Sequence, residues 1–292
     1  MTAKTKILNL IRIIFKIPFI EKGIRWCTQN KSPQHFVSKF APNNYQYSLN
    51  TLRTFKKNDI IFIADISDYV GHYIYFGFRD KSLDKLFSLC AKGNTIIDIG
   101  ANIGYTILNF AKLVGHEGAI FGFEPDPINF ERCNHNIVQN NFTNIHLSKC
   151  GLGESMGKFL LHVPSPQNRG GNRIINEKTE GETNVIEVIT LDDFVRQKQI
   201  NKIDLIKIDV EGYELKILKG GESTLKKFKP TLFIEIDDNN LKQQGHSVLL
   251  IVDFIKSLGY NNIMRADNDQ NISSQYNFPN CHFDIICSHK PE

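Results

Sequence analysis

Acidic side chains that interrupt apolar runs are the residues of this sequence most suited to chemistry. Residues 203–212 read Ile-Asp-Leu-Ile-Lys-Ile-Asp-Val-Glu-Gly, and the alternation of a strand places Lys207, Asp209 and Glu211 on one side. A buried apolar strand rarely contains lysine or aspartate unless these residues are paired or functional. Asp209 is expected at the carboxyl end of the strand, where open α/β sheets bind ligands. A structural Lys207–Asp209 ion pair is the alternative interpretation.

A second acid, Glu235, follows the apolar residues 232–234 and is expected near the same crevice. Two or three carboxylates that converge there could bind a cation or serve as a general base. A salt bridge between Glu235 and Lys207 explains the pattern equally well, so the sequence leaves both interpretations open.

A glycine-rich turn indicates a different chemistry, the binding of a nucleoside. Residues 96–104 read Ile-Ile-Asp-Ile-Gly-Ala-Asn-Ile-Gly, so a strand containing Asp98 turns through Gly100 and a helix starts after Gly104. Glycines let the backbone approach a ligand, and a helix N-terminus offers free N–H groups. Glu124, twenty residues after Gly104, is placed to accept hydrogen bonds from two ribose hydroxyls. The G-x-x-x-G spacing and the nearby aspartate favour S-adenosylmethionine over NAD.

Strands and helices must alternate to bring these residues together. Strands are predicted over residues 95–99, 118–123, 145–148, 203–209, 231–236 and 283–287. Helices are predicted over residues 105–114, 127–139, 213–228 and 247–258. This alternation implies an α/β domain over residues 93–290, with right-handed crossovers and a parallel sheet covered by helices on both faces. Within it, an antiparallel pair at 158–163 and 185–189 encloses a long polar loop at 164–182.

The residues before this domain are predicted to form an extension in two parts. Residues 1–50 contain an amphipathic helix over 7–20, followed by an irregular polar segment. Residues 51–92 contain a lead-in hairpin, with strands at 59–64 and 73–77, and a short helix. The N-terminal helix is too short and too charged to span a bilayer. It packs on the main domain or a partner subunit in one interpretation, and lies on an anionic membrane surface in the other.

Together these motifs resemble the FkbM family of methyltransferases. The resemblance covers about residues 70–290 and depends on residues 97–104, 123–125, 191–193, 203–214 and 218–220. It implies a Rossmann-like class I methyltransferase fold with a seven-stranded, mostly parallel sheet. It also implies S-adenosylmethionine as the methyl donor and a hydroxyl oxygen as the acceptor atom. One departure is visible, because Asp237 stands where the resemblance leads us to expect a histidine.

The resemblance further implies roles for individual residues. The residues implied to line the donor site are Asp98, Gly100, Ala101, Asn102, Gly104, Glu124, Pro125, Cys150, Gly151 and Asp209. Glu124 would hold the ribose, and Cys150 and Gly151 would lie beside the adenine. The acceptor would be a small molecule or, more specifically, a sugar in a surface glycan or glycolipid.

Methyl transfer to a hydroxyl benefits from a general base, typically by about 10²–10⁴ in rate. Asp209 is the first candidate for this base and Glu235 the second, with Lys207 tuning both carboxylates through its charge. A divalent metal held by Asp209 and Glu235 could instead lower the pKa of the acceptor hydroxyl. The sequence does not decide between these mechanisms.

Four residues are predicted to contact the acceptor. Glu211 follows the base on the same strand side, and His72 lies in the predicted lead-in hairpin. Arg169 and Arg173 lie in the polar loop, where they could recognise hydroxyls or phosphates when the loop closes.

The amino-acid composition argues against some classes of function for this chain. A net charge of +4 over 292 residues, without a basic stripe, is not typical of nucleic-acid binding. Six scattered cysteines suit reduced thiols in a cytoplasmic protein, one that reaches the inner face of the membrane if its first helix binds lipid. The oligomeric state is not readable from the sequence.

Two alternative functions are weighed against methyl transfer. An NAD-dependent sugar oxidoreductase or epimerase shares the ribose acid, but not the glycine spacing. A non-catalytic methyltransferase-like subunit conflicts with the intact Asp98, Glu124 and Asp209.

Overall fold

The computed structural model describes residues 3–175, 177, 179–275 and 277–289. The chain divides into two units. One contains the chain up to Asp80 together with Ser165–Gly170, and the other contains Lys81–Pro164 and the chain from Gly171 onward. The predicted domain limits at residues 1 and 290 lie outside the described residues, as do residues 176 and 178 of the polar loop. The limits at 50 and 92 stay predictions.

The described helices and strands of the first unit are α1 (Ala3–Ile14), α2 (Pro18–Thr28), β1 (Leu52–Lys57), β2 (Ile60–Asp65) and α3 (Tyr69–Phe76). β1 and β2 pair antiparallel across Asn58 and Asp59, whose φ values of +51° and +61° suit a type I′ hairpin turn. The helix predicted over 7–20 is two helices, because Pro18 takes the first position of α2, where its missing N–H is not needed.

The predicted hairpin strand at 73–77 is wrong, because most of these residues belong to α3. Asp68 starts this helix, since its carboxylate accepts hydrogen bonds from the N–H groups of Val70 and Gly71. Gly77, with a φ of +67°, ends it. The aromatic and β-branched residues of the segment favour a strand, but the capping residue just before the segment starts a helix instead.

The strands of the second unit are β3 (Thr95–Ile99), β4 (Ala119–Phe123), β5 (Ile145–Ser148), β6 (Gly151–Leu152), β7 (Gly157–Val163), β8 (Arg173–Ile175), β9 (Glu182–Ile189), β10 (Leu205–Ile208), β11 (Thr231–Asp237), β12 (Asn262–Arg265) and β13 (His282–Ser288). Its large sheet has seven strands in the described residues, in the order β12–β13–β11–β10–β3–β4–β5. β3, β4, β5, β10 and β11 are parallel, and β13 is antiparallel to both of its neighbours. The predicted seven-stranded, mostly parallel sheet is confirmed.

A second sheet in this unit has the order β6–β9–β7–β8. It contains the predicted antiparallel pair as β7 and β9. The loop predicted between these strands is not wholly irregular, because β8 forms within it and pairs with β7.

The helices of the second unit are α4 (Lys81–Ser88), α5 (Tyr105–Val114), α6 (Pro127–Gln139), α7 (Leu191–Gln197), α8 (Glu214–Gly220), α9 (Glu222–Phe228), α10 (Asp238–Gln243) and α11 (Val248–Ser257). The single helix predicted over 213–228 is divided into α8 and α9. A Cβ on Gly220 would lie 2.0 Å from the carbonyl oxygen of Gly153, so a glycine is required where the two helices meet. Among the described helices of the chain, none is long and apolar enough to cross a membrane.

The centre of the large sheet is apolar and covered on both faces. Ile97, Ile206 and Ile234 come from three neighbouring strands, and none of them has exposed surface. Such continuous apolar runs are typical of parallel strands buried between helices. The packed strands hold their carboxyl ends, where the charged residues lie, at fixed positions.

Candidate functional site

The carboxyl ends of β3 and β10 lie side by side at the centre of the large sheet. The strands that follow β3 extend to one side and those that follow β10 to the other. This is the switch point at which open α/β sheets bind ligands. The turn after β3 lies in close contact with the end of β10. A Cβ on Gly100 would lie only 2.0 Å from the carbonyl oxygen of Asp209. The glycine-rich turn and the first candidate base are therefore adjacent.

A buried ammonium group links the two strand ends. Lys207 pairs with Asp98 in the register of β10 and β3. Its Nζ lies 3.3 Å from Asp98 Oδ1 and 3.2 Å from Asp209 Oδ2, and donates a 3.0 Å hydrogen bond to the carbonyl oxygen of Gly100. Burial acts to lower the pKa of Lys207, but the charges of Asp209 and Asp98 outweigh it and hold that pKa above its ordinary value. The ion pair that the sequence offered as a structural alternative is present, and the lysine is charged.

Glu124 shapes the glycine-rich turn through its carboxylate. Its Oε2 accepts a 2.8 Å hydrogen bond from the N–H of Asn102, and its Oε1 a 2.9 Å bond from the N–H of Asp126. Asn102 has a φ of +50°, and the N–H of Ala101 donates to the carbonyl oxygen of Phe123 at 3.0 Å. Burial raises the pKa of Glu124 to about 8. The acid at the end of β4 thus organises the backbone of the turn beside it.

These groups fit a nucleoside that carries a ribose diol. A carboxylate has about four acceptor positions, and the two backbone bonds of Glu124 use one on each oxygen. Asp98 lies at the other side of the turn, where it accepts a hydrogen bond from the hydroxyl of Thr106 and faces Lys207. Gly100 keeps a side chain out of the space between the strand ends. The hydrogen-bonding groups of this turn therefore suit S-adenosylmethionine.

Three further residues implied in donor binding follow the ends of β4 and β5 in the chain. Pro125 directly follows Glu124 and precedes α6. Gly151 is buried in β6, and Cys150 is half-buried, which raises the pKa of its thiol to about 11. Their contact with the donor stays a prediction.

A second group of acids lies at the end of β11 and in the turn after β10. Glu235 pairs with Asp284 of β13. The negative charge of Asp209, and then burial, raises the pKa of Glu235, so the two candidate bases lie within electrostatic range of each other. In the turn, Glu211 accepts a hydrogen bond from the side-chain amide of Asn240. Burial, followed by the charge of Asp209, raises the pKa of Glu211 to about 7.

His282 belongs to this group and is absent from the sequence-based predictions. It starts β13 and pairs with Asp237. Its Nε2 lies 3.2 Å from Glu235 Oε1 and its Nδ1 3.1 Å from Asp237 Oδ2, with 65% of the side chain exposed. The hydrogen bond to Glu235 raises the pKa of His282 to about 9, although burial opposes the shift. The histidine expected at position 237 is therefore absent there, but a neighbouring strand supplies one to Asp237.

Two of the predicted acceptor contacts belong to the first unit. His72 is buried in α3, where its Nε2 lies 2.6 Å from the carbonyl oxygen of Pro42 and burial lowers its pKa to about 4. Arg169 is buried, and its backbone N–H donates to the carboxylate of Asp68. Each has a packing role in its own unit, and a role in acceptor binding stays a prediction.

Arg173 starts β8 in the second unit. It lines a groove of about 580 Å³ together with His162, Gln243 and Gln244. Gln244 ties α10 to β8 by donating a hydrogen bond to the carbonyl oxygen of Ile174. The assignment of Arg173 to acceptor binding also stays a prediction.

Metal ligation is not apparent in the part of the chain that the structure describes, where no group of three or more His, Cys, Asp or Glu side chains is suited to hold a metal ion. The metal site predicted at Asp209 and Glu235 stays a prediction. All six cysteines are free thiols.

Comparison with known proteins identifies a protein family whose model matches the part of the chain that contains this site. A family model described as the methyltransferase FkbM domain matches residues 98–261. These residues include the glycine-rich turn, Glu124, Asp209 and Glu235.

Two relatives illustrate the similarity. The hexuronic acid methyltransferase AglP of Haloferax volcanii is 34% identical over 175 residues, which cover 56% of this chain and 70% of the relative. The 2-O-methyltransferase NoeI of Sinorhizobium fredii is 27% identical over 192 residues, which cover 59% of this chain and 76% of the relative.

A solved structure, that of methyltransferase FkbM from Methylobacillus flagellatus, aligns with a TM-score of 0.44 and 21% identity. The alignment covers 68% of this chain and 44% of that chain, so this chain spans less than half of that protein.

Proposed function

This chain belongs to the FkbM family of S-adenosylmethionine-dependent methyltransferases, and from that premise we propose that it methylates a hydroxyl oxygen of a sugar. One observation carries the proposal. The half-exposed carboxylate of Asp209 lies at the switch point of the sheet, beside the glycine-rich turn and within electrostatic range of Glu235. This arrangement supports a base next to a bound methyl donor.

The chain's own residues would hold the donor in the turn after β3. When bound, S-adenosylmethionine supplies a methyl group on a positively charged sulfur. Glu124 would accept hydrogen bonds from the ribose hydroxyls, while Gly100 and Asn102 give the backbone the left-handed conformations of the turn. Holding two reactants in line can contribute about 7–11 kcal/mol to lowering the barrier, so positioning is the main task of these residues.

Asp209 is the group that we assign to receive the proton of the acceptor hydroxyl. Its side chain is 41% exposed, whereas that of Glu235 is 19% exposed and hydrogen-bonded with His282. Lys207 holds one oxygen of Asp209 and leaves the other free to face an acceptor. Glu235 is the second candidate, with its orientation fixed by His282.

The charge of the site indicates which sugars it accepts. Glu211, Glu235 and Asp237 surround the edge near Asp209, and His282 is the basic side chain paired with two of them. Carboxyl groups accept hydrogen bonds from neutral hydroxyls, and those that are charged repel an anionic group. We therefore infer a neutral or amino sugar as the acceptor. The relative named as a hexuronic acid methyltransferase supports a sugar in general, and the one named as a 2-O-methyltransferase supports transfer to oxygen.

The test is methyl transfer from labelled S-adenosylmethionine to neutral, amino and uronic sugar oligosaccharides, followed by mass spectrometry. The expected result is a mass increment of one CH₂ group on a neutral or amino sugar. Asp209→Asn should lower the rate by about 10²–10⁴ while calorimetry shows the donor still bound. Asp253→Asn, which changes an exposed aspartate of α11, is the matched control.

Several results would count against the proposal. Full turnover by Asp209→Asn would remove Asp209 from the mechanism. Donor binding without methylation of any sugar, or transfer confined to uronic acids, would overturn the acceptor assignment. Heat on titration with NAD instead of S-adenosylmethionine would favour the oxidoreductase alternative.

A further inference from the structure

Helix α1 packs on its own unit through polar side chains. The Nε of Arg12 donates a 2.8 Å hydrogen bond to the carbonyl oxygen of Lys39, and the Nζ of Lys16 donates to the carbonyl oxygen of Gln46. The side-chain amide of Gln46 donates in turn to the carbonyl oxygen of Asn9 at 3.1 Å. Arg12 is buried in this contact. The face with Asn9 and Arg12 is thus the inner face of the helix, and Lys16 lies just after the helix ends.

Many of the apolar side chains from α1 to α2 are exposed instead, although Ile24 is buried and Phe15 packs on Phe40. A helix that is packed on a globular core normally does the reverse, burying its apolar stripe and exposing its polar residues. The exposed apolar side chains from α1 to α2, here called the N-terminal apolar face, are Ile7, Leu10, Ile11, Ile13, Ile14, Ile17, Phe19 and Trp26. Phe19 and Trp26 are 86% and 79% exposed. Large exposed apolar patches mark interaction surfaces, so this face is expected to have an apolar environment in the cell.

The charge of the same segment indicates what that environment is. Residues 1–58 contain eleven lysines and arginines and one acid, a net charge of +10, whereas the rest of the chain has 24 basic and 30 acidic residues, a net charge of −6. The one acid, Glu21, is buried, where it accepts hydrogen bonds from Arg53 at 2.7 Å and from the hydroxyl of Tyr75 at 2.8 Å. The segment therefore presents an excess of positive charge to its surroundings, although Lys56 pairs with Asp59.

Basic and aromatic residues alternate along the outer face of α2. Phe19, Lys22 and Trp26 are spaced by three and four residues, which places them on one side of the helix, and all three are exposed. Aromatic side chains inserted among lysines are typical of helices that lie in the interfacial region of a membrane. Lysines there also gain from the negative surface potential of anionic lipids.

We propose that the N-terminal apolar face docks on the surface of an anionic lipid bilayer. Its isoleucine, leucine and aromatic side chains enter the boundary between headgroups and acyl chains, and the surrounding lysines contact the anionic headgroups. A second copy of this chain is the less favoured occupant, because the two faces would each bring a segment of the same positive charge. The proposal is independent of the acceptor assigned above, since it concerns the first unit alone.

Sedimentation of the full-length protein with lipid vesicles tests the proposal. The protein should bind vesicles of phosphatidylcholine and phosphatidylglycerol, and bind pure phosphatidylcholine vesicles much more weakly. Raising the salt concentration should release it, because screening weakens the headgroup contacts. The variant with Leu10→Asp and Ile13→Asp should lower the partition coefficient by at least about tenfold. Val138→Asp, an equally exposed apolar residue on α6 of the second unit, should leave binding unchanged.

Folding and oligomeric state are measured on the same samples. Circular dichroism and turnover of a water-soluble acceptor verify that the variants fold, and light scattering reports the mass in solution. Equal binding to neutral vesicles, or unchanged binding by the Leu10→Asp and Ile13→Asp variant, would overturn the proposal. Absence of vesicle binding would also overturn it, and a dimer that this variant converts to a monomer would assign the face to a second copy.

Discussion

At the scale of single residues, Lys207 explains why an apolar strand contains a charged side chain. It is 4% exposed, yet its ammonium group lies between Asp98 of β3 and Asp209 after β10. A buried charge of this kind is tolerated only when it is paired, and loss of one partner leaves the others uncompensated. Lys207 therefore has a structural role as the partner of two carboxylates, and its tuning of Asp209 stays a prediction.

Gly100 allows a test of how close the two strand ends must be. Gly100→Ala places a Cβ 2.0 Å from the carbonyl oxygen of Asp209 at a φ of +88°, so both a clash and backbone strain are added. We expect a loss of about 2–5 kcal/mol in the free energy of unfolding, measured by urea denaturation.

Gly93→Ala is the matched control for this prediction. Gly93 also has a positive φ, +75°, but a Cβ there meets no atom within 4 Å. Only the strain of about 1–2 kcal/mol should appear. If both variants lose the same stability, the contact between the turn and β10 is not as tight as described.

At the scale of secondary structure, the start of α8 contains a buried acid with a measurable consequence. Burial raises the pKa of Glu214 from 4.5 to about 8, although its carboxylate accepts a 2.9 Å hydrogen bond from the N–H of Gly212. Between pH 5 and pH 8 the unfolded chain has therefore released this proton while the folded chain still binds it. Stability must fall as the pH rises through this range, by up to about 1.4 kcal/mol per pH unit for one proton.

Glu214→Gln should flatten this dependence, since glutamine keeps the acceptor oxygen and has no proton to release. Thermal unfolding from pH 5 to pH 8 measures the pH dependence of stability. Glu222→Gln, at the exposed start of α9, is the control. Glu124 and Glu211, whose pKa values are also raised, leave part of the slope in place. An identical slope in the variant and the natural protein would contradict the assignment to Glu214.

Strands and helices could be predicted from the sequence where residues close in the chain determine them. The five parallel strands follow from short apolar runs between turn residues, and their order places Asp98, Glu124, Asp209 and Glu235 at one edge. The approach of Gly220 to Gly153, which separates α8 from α9, depends on a distant segment and leaves no local pattern. His282 was missed for a similar reason. Its position opposite Asp237 depends on the register of an antiparallel strand that starts 45 residues later in the chain.

At the scale of the whole molecule, donor binding should stabilise the folded chain. A ligand at 100 times its dissociation constant adds about 2.7 kcal/mol to the free energy of unfolding when it binds only the folded state. For a chain of this length we expect a rise in Tm of several degrees with S-adenosylmethionine, measured by differential scanning calorimetry.

Glu124→Gln is the variant for this measurement, because it replaces one of the two carboxyl oxygens that we assign to the ribose. It should show a smaller rise in Tm at the same donor concentration. A full rise in the variant would mean that the diol is held elsewhere, and no rise in the natural protein would contradict donor binding at this edge.

The burial of Glu21 against Arg53 and Tyr75 has a practical consequence for purification. With its only acid hidden, the first part of the chain behaves as a polycation even when the charges of the complete molecule cancel. Cation-exchange resin should therefore retain the protein at its isoelectric point, where a protein of uniform charge would flow through.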